Sequence, residues 1–209
     1  MMQSLALALP GDPAVSTNGD EYLFGPDLLV APVHSEGETR GLVLPRGRWT
    51  NLWDGTVLQG GLMVKIHAAL DGIPVFLRSG ALLPLTLPAS LRLGETMTPG
   101  SFGALLATPP EAAGRSRQLR RDAETSEYSG EPVANGFRVI LSAAPHVRFA
   151  IAAGMERAAA KVALDGVEIP HLTEAQISAP PVGWYITEDQ RPVVRLPQNV
   201  KQHIEISTR

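Results

Sequence analysis

Tyr22-Leu23-Phe24-Gly25-Pro26-Asp27-Leu28-Leu29-Val30-Ala31-Pro32-Val33 decides the fold of this chain. Leu28 to Val33 is apolar and rich in branched residues but too short for a buried helix, so it reads as a fully buried strand. Gly25-Pro26-Asp27 ahead of it carries turn chemistry. Glycine reaches unusual dihedrals, proline fixes φ, and an Asp side chain can bond the backbone just beyond. The chain is therefore expected to bend at Gly25 and enter a core at Leu28, with a sandwich built onto that strand.

Working outward, Ser4 to Leu9 alternates leucine with small residues and predicts a strand closed by Pro10-Gly11-Asp12-Pro13. An unpaired, alternating edge of this kind invites association and suggests a segment upstream of Met1. On the other side, Gly41 to Pro45, Trp49 to Trp53, a run from Thr56, Leu62 to Ala68, and two strands around Arg78-Ser79-Gly80 follow. Asp54-Gly55 is a hairpin signal, and a regular strand would put Trp49 and Trp53 on one face. No segment before residue 90 has a helical period. Prolines and glycines crowd residues 84 to 110, which places a junction near Leu87-Pro88. Beyond it, strands are expected at Gly103 to Ala107, Phe137 to Ser142, Val147 to Ala152, Lys161 to Leu164, Arg191 to Leu196 and His203 to Ser207, with hairpin signals at Asn135-Gly136 and Asp165-Gly166. Arg115 to Arg121 and the acidic Asp122 to Glu131 read as a salt-linked surface loop. The sum is an all-β chain of two consecutive β-sandwiches.

Bulk properties agree with a globular protein. The 209 residues are 44% hydrophobic and 19% charged with net charge -3, which gives no electrostatic pull towards nucleic acid or anionic membrane. No apolar run reaches the ~20 residues of a membrane helix. Cysteine is absent, which removes disulfides, thiolate nucleophiles and Cys-based metal sites. The first ten residues lack the basic start of a secretory leader, and the compartment stays open, with the cytoplasm favoured.

Catalytic signatures are sparse. A phosphate loop, a Gly-x-Ser-x-Gly elbow and a His-Glu-x-x-His pair are all missing from the sequence. His34, His67, His146, His171 and His203 show no i, i+4 pair, so no metal and no cofactor is expected. His34-Ser35 is discarded as a base and nucleophile, since neighbours on a strand face opposite ways. Glycoside cleavage needs two carboxylates, and the candidates are Asp20, Glu21, Asp27, Asp54 and Asp71. Asp27, Asp54 and Asp71 fall in turns whose local bonding explains them. No catalytic residue is assigned. Trp49, Trp53 and Trp184 are candidate sugar contacts, because an exposed indole can stack on a sugar ring.

Phe24-Gly25-Pro26-Asp27 to Val33, then Leu44-Pro45-x-Gly47-x-Trp49-x-x-Leu52-Trp53-x-Gly55, then Leu70-Asp71-x-Ile73-Pro74 to Leu85, in that order and spacing, resemble the C-terminal region of glycoside hydrolase family 31, which includes α-glucosidases and α-xylosidases. Leu5 to Val15 resembles the last strand of that family's catalytic barrel and its exit segment. Arg121 to Gly130 is similar to a segment of the distal sandwich, with Ala123 where the family has glycine. The resemblance implies a remnant of a (β/α)8 barrel over residues 1–19, a proximal β-sandwich over 20–87 and a distal one over 88–209. Family members are retaining enzymes with an Asp nucleophile and an Asp acid/base on barrel strands upstream of these motifs, and no residue here matches either. The implied role is a non-catalytic C-terminal portion of an α-glycosidase, inactive alone, whose partner is the catalytic barrel of the parent enzyme or, through the same surface, a second copy of itself. Two alternatives stand beside it: a carbohydrate-binding module that takes an oligosaccharide through its tryptophans, and a self-sufficient hydrolase with a reorganised site.

Overall fold

Leu28–Val30 forms a strand whose central residue, Leu29, is fully buried. The computed structural model describes all residues except 17–18, 35–36, 38, 69–71, 98–99, 113–114, 122–123, 143–145, 174–175, 177–181, 198–200 and 209. The chain divides into two compact units, Met1–Ser79 and Gly80–Arg209.

In the first unit the strands are β1 (Met2–Ser4), β2 (Tyr22–Phe24), β3 (Leu28–Val30), β4 (Thr39–Val43), β5 (Arg48–Asn51), β6 (Val57–Gln59), β7 (Met63–His67) and β8 (Val75–Arg78). Six of them form an antiparallel sheet in the order β1-β2-β3-β8-β5-β6, and β4 pairs with β7 in a separate ribbon. A single apolar cluster draws on both sheets, with Leu23, Leu29, Trp49 and Phe76 from the larger and Leu42, Val64 and Ile66 from the ribbon. The Gly25-Pro26-Asp27 turn closes the β2–β3 hairpin, and Gly25 has φ +66°, a region that glycine enters without the penalty a side chain would meet. Regular pairing stops at Val30, but Ala31 stays buried and donates its N–H to the Pro74 carbonyl at 3.0 Å.

Two expectations for this unit are corrected. Ser4 to Leu9 is not a strand: Leu5–Ala8 is one helical turn, α1. Leu5 and Leu9 sit a turn apart and both join the core, while Leu7 between them points outward, so what looked like period two is one turn of a helix built from strong helix formers. The strand from Trp49 also ends early, at Asn51, because the Asn51 Oδ1 accepts the Trp53 N–H at 2.9 Å and the Asp54 Oδ1 accepts the Thr56 N–H at 2.8 Å. These side-chain bonds build the β5–β6 turn and rotate Trp53 off the face that Trp49 occupies.

The second unit contains β9 (Leu82–Leu87), β10 (Phe102–Ala107), β11 (Arg115–Arg121), β12 (Glu124–Val133), β13 (Gly136–Ser142), β14 (Val147–Ala152), β15 (Ala159–Leu164), β16 (Val167–Glu168), β17 (Gly183–Ile186), β18 (Pro192–Arg195) and β19 (Lys201–Thr208). One sheet runs β17-β18-β14-β10-β9 and the other β11-β12-β13-β19-β15-β16. All pairs are antiparallel except β10–β14. Their shared core holds Leu105, Ala150, Val194 and Trp184 from the first sheet and Tyr128, Phe137, Val139, Leu141, Val162, Ile204 and Ile206 from the second. Phe137, Val139 and Leu141 alternate with Arg138, Ile140 and Ser142, the period of a strand with one face buried.

Here too the structure departs from the sequence reading. Leu82–Leu87 pairs along its whole length with β10 and so belongs to the second unit, which puts the division at Ser79–Gly80 rather than at 87–88. Arg115–Arg121 and Glu124–Val133 are paired strands, not a loop. The arginine run hides the strand because the apolar component of β12 is slight: Tyr128 is buried, flanked by the exposed Glu127 and the partly buried Ser129. The Asp165-Gly166 signal produces a two-residue turn with both residues at positive φ, +49° and +83°, as a primed hairpin turn needs. At Asn135-Gly136 the turn itself is Ala134-Asn135, and Gly136 is already paired, where a β-carbon would lie 1.9 Å from the Ile206 carbonyl oxygen. Gly136→Ala is therefore expected to force the backbone apart and cost about 1–3 kcal/mol, read as a lower urea midpoint.

Candidate functional site

The three tryptophans separate by environment. Trp49 has no exposed surface, donates Nε1–H to the Pro45 carbonyl at 2.8 Å, and carries the Arg78 guanidinium 5.1 Å above its ring. Trp184 is buried in the core of the second unit with the His171 ring edge-on at 4.5 Å. Both are packing residues, and neither offers a ring face to a sugar. Trp53 is 45% exposed, and its Nε1–H is tied to the Ile73 carbonyl at 2.7 Å, which fixes the ring on the surface beside another exposed apolar side chain.

The carboxylates do not converge. Asp12 and Glu21, both buried, are engaged within the first unit: the Asp12 carboxylate accepts the N–H groups of Ala14 at 3.1 Å and Arg46 at 2.8 Å. Glu21 accepts the Val43 N–H at 3.2 Å and faces the buried Arg40 guanidinium at 3.6 Å. Arg40 in turn donates to the carbonyls of Pro32 and of Asp20. Asp27 is buried in the β2–β3 turn, where its carbonyl accepts the Arg78 N–H at 2.9 Å. Asp54 belongs to the β5–β6 turn and Asp20 pairs on the surface with His34 at 3.3 Å. Asp71, Ser35, Asp122 and Ala123 lie outside the described residues. Among the described residues no three His, Asp or Glu side chains gather as metal ligands. His67, His146 and His171 are exposed, and His203 is half-buried on β19.

Two arrangements were not legible in the sequence. The first is charge alignment across the second unit's six-stranded sheet: Glu131, Arg138 and Glu205 are cross-strand partners, and Arg138 bonds both carboxylates at 2.7 Å. These bonds, that to Glu205 first, hold the guanidinium above its ordinary range. The second is an apolar edge in the first unit. Met2 and Phe24 are direct partners on β1 and β2 and so share a face, and they are 67% and 53% exposed; Leu7, on the adjoining α1, is 74% exposed. The cue was present in the leucine alternation, read there as a strand edge. Removing Trp49 with Trp49→Ala is expected to cost about 3–5 kcal/mol, and Glu21→Ala, which strands the Arg40 charge, about as much, whereas Trp53→Ala should cost less than about 1 kcal/mol in urea unfolding.

Residues 1–83 match the family model of the glycosyl hydrolase family 31 C-terminal domain. An isomaltosyltransferase of Sporosarcina globispora is 38% identical over 98 residues, 46% of this chain and 9% of the relative. An α-glucosidase of Saccharolobus solfataricus is 40% identical over 77 residues, 37% of this chain and 11% of the relative. In fold, a cycloalternan-forming enzyme of Listeria monocytogenes, solved with a pentasaccharide substrate, matches with a TM-score of 0.87 at 24% identity, over 99% of this chain and 20% of that one. A Flavobacterium johnsoniae family 31 dextranase gives 0.78 at 19% identity, again over 99% of this chain and over 29% of that one. The chain thus spans about a tenth of the curated relatives and a fifth to under a third of these solved structures. By sequence, residues 1–83 are thus a family 31 glycoside hydrolase C-terminal domain, and the fold shared with the solved structures extends over 99% of the chain.

Proposed function

We propose that this chain is the non-catalytic C-terminal portion of a family 31 α-glycosidase and that its first unit buttresses the catalytic (β/α)8 barrel of the parent enzyme. The reading rests on the Met2, Leu7 and Phe24 edge, which leaves large apolar side chains in water at the rim of the six-stranded sheet. Covering even part of such a patch is favourable at roughly 25 cal/mol per Å², so a neighbouring domain would be held by it. Two further observations support the role. The buried Asp12 and Glu21 already accept internal hydrogen bonds, which leaves them poorly placed to act as acid and nucleophile on a sugar. The edge also lies in the segment that the family model covers.

Two measurements test the proposal together. The purified chain is expected to turn over neither aryl α-glucosides nor aryl α-xylosides, and to bind a hydrophobic dye or self-associate in light scattering. Met2→Asp with Phe24→Asp should suppress both dye binding and association while the far-UV spectrum stays unchanged. A monomer that binds no dye, or turnover lost on changing a carboxylate of this chain, would overturn it.

A further inference from the structure

The second unit carries an open pocket of about 260 Å³ over the β17–β18–β14 end of its five-stranded sheet. Its floor is a row of cross-strand partners: Ile151 on β14 faces Val193 on β18, which faces Tyr185 on β17. One wall is the turn joining β17 to β18, with Thr187, Glu188, Asp189 and Arg191, and the other is the segment after β9, with Ser90 to Leu93.

Both walls are fixed. The Thr187 N–H donates to the Arg191 carbonyl at 3.0 Å and the Thr187 Oγ1 accepts the Arg191 N–H at 2.9 Å, which locks the turn. Opposite, the Leu91 N–H donates to the Pro88 carbonyl at 2.9 Å, and Leu91 is buried at φ +57°, a left-handed conformation that a branched side chain adopts only when its surroundings impose it. The polar groups come in opposite-charge pairs. Arg191, nearly inaccessible to solvent, lies 2.9 Å from Asp189, and Arg92 reaches across the opening to Glu188 at 3.4 Å.

This combination selects its ligand by chemistry. Two guanidinium groups against two carboxylates give no net charge, so an anion or a cation would meet one repelling partner for each attracting one. A neutral molecule bearing adjacent hydroxyls suits both, because a hydroxyl donates to a carboxylate and accepts from a guanidinium, and the exposed Arg92 and Glu188 present both within a few ångströms, with the half-exposed Asp189 carboxylate on the same wall. The apolar floor matches the C–H face of a saturated ring, and the volume, just below the usual range of small-molecule sites, admits one ring rather than a chain. The geometry points to a binding site for a single neutral pyranose unit, at the end of an oligosaccharide or free, in the second unit. This site is independent of the barrel-facing role, since it shares no residue with the Met2, Leu7 and Phe24 edge.

Saturation-transfer NMR and calorimetry on the full chain test it, with glucose, maltose and isomaltose as neutral probes and glucose 6-phosphate as the charged comparison. Neutral sugars are expected to bind with millimolar dissociation constants, and glucose 6-phosphate more weakly. Glu188→Gln and Arg92→Gln, both at exposed positions that leave the fold intact, should each weaken binding by about fivefold, the worth of one hydrogen bond. Trp53→Ala should leave it unchanged. Absence of binding by all three neutral sugars, equal binding by the two mouth variants and the wild type, or loss of binding on Trp53→Ala would overturn the assignment.

Discussion

The buried guanidinium of Arg40 is the constraint on which the first unit depends. It sits on β4, in the two-stranded ribbon, yet its bonds run to the carbonyls of Asp20 and Pro32 and to the Glu21 carboxylate, all flanking the β2–β3 hairpin of the larger sheet. Glu21 completes the link by accepting the N–H of Val43, on the same strand as Arg40. An apolar cluster attracts two sheets without fixing their offset, because burial is non-directional. A charged group with several required partners does fix it, since any slip leaves an ion in the core without compensation. The registration of Leu42 against Leu29 and Trp49 follows from that clamp as much as from the apolar side chains themselves.

The legible parts of the fold were those written in local chemistry. Gly25-Pro26-Asp27 and Asp165-Gly166 act over two or three residues and make the turns their composition implies, while Asp54-Gly55 ends a longer turn between β5 and β6 that the Asn51 and Asp54 side chains build. The long alternations of β13 and the short apolar runs of β10 and β14 likewise state their burial directly. Misreadings arose where the pattern was right but its cause was not. Leucines at 5, 7 and 9 fit both a strand and one turn of helix, and only the location of the core, set by residues far along the chain, decides between them. The β11–β12 hairpin carries too few apolar residues to register as strands, and backbone pairing with β13 supplies what the side chains do not.

Candidate site residues were harder to read because exposure is a property of the assembled fold. Trp49 and Trp53 differ by four positions and by nothing that local sequence records, yet the side-chain bonds of Asn51 and Asp54 send one inward and the other out. The pocket of the second unit draws its walls from around residue 90 and around residue 190 and its floor from three strands, so no window of sequence contains it. What the sequence did carry was the order of motifs by which this chain resembles its relatives, and those motifs run through the first unit and into β9 of the second.

The second unit threads its chain between two sheets repeatedly, and this has a consequence for assembly. After β10 the chain leaves for the other sheet, builds β11, β12 and β13, and returns to lay β14 parallel to β10. The segment that finally bridges β13 and β15 in that other sheet is β19, the last strand of the unit. Its central slot is therefore filled last in chain order, and contacts between residues some seventy positions apart must form before the sheet is continuous. On a ribosome, this unit stays an open, incomplete sheet until its closing strand has left the exit tunnel, so its folding cannot finish before that point.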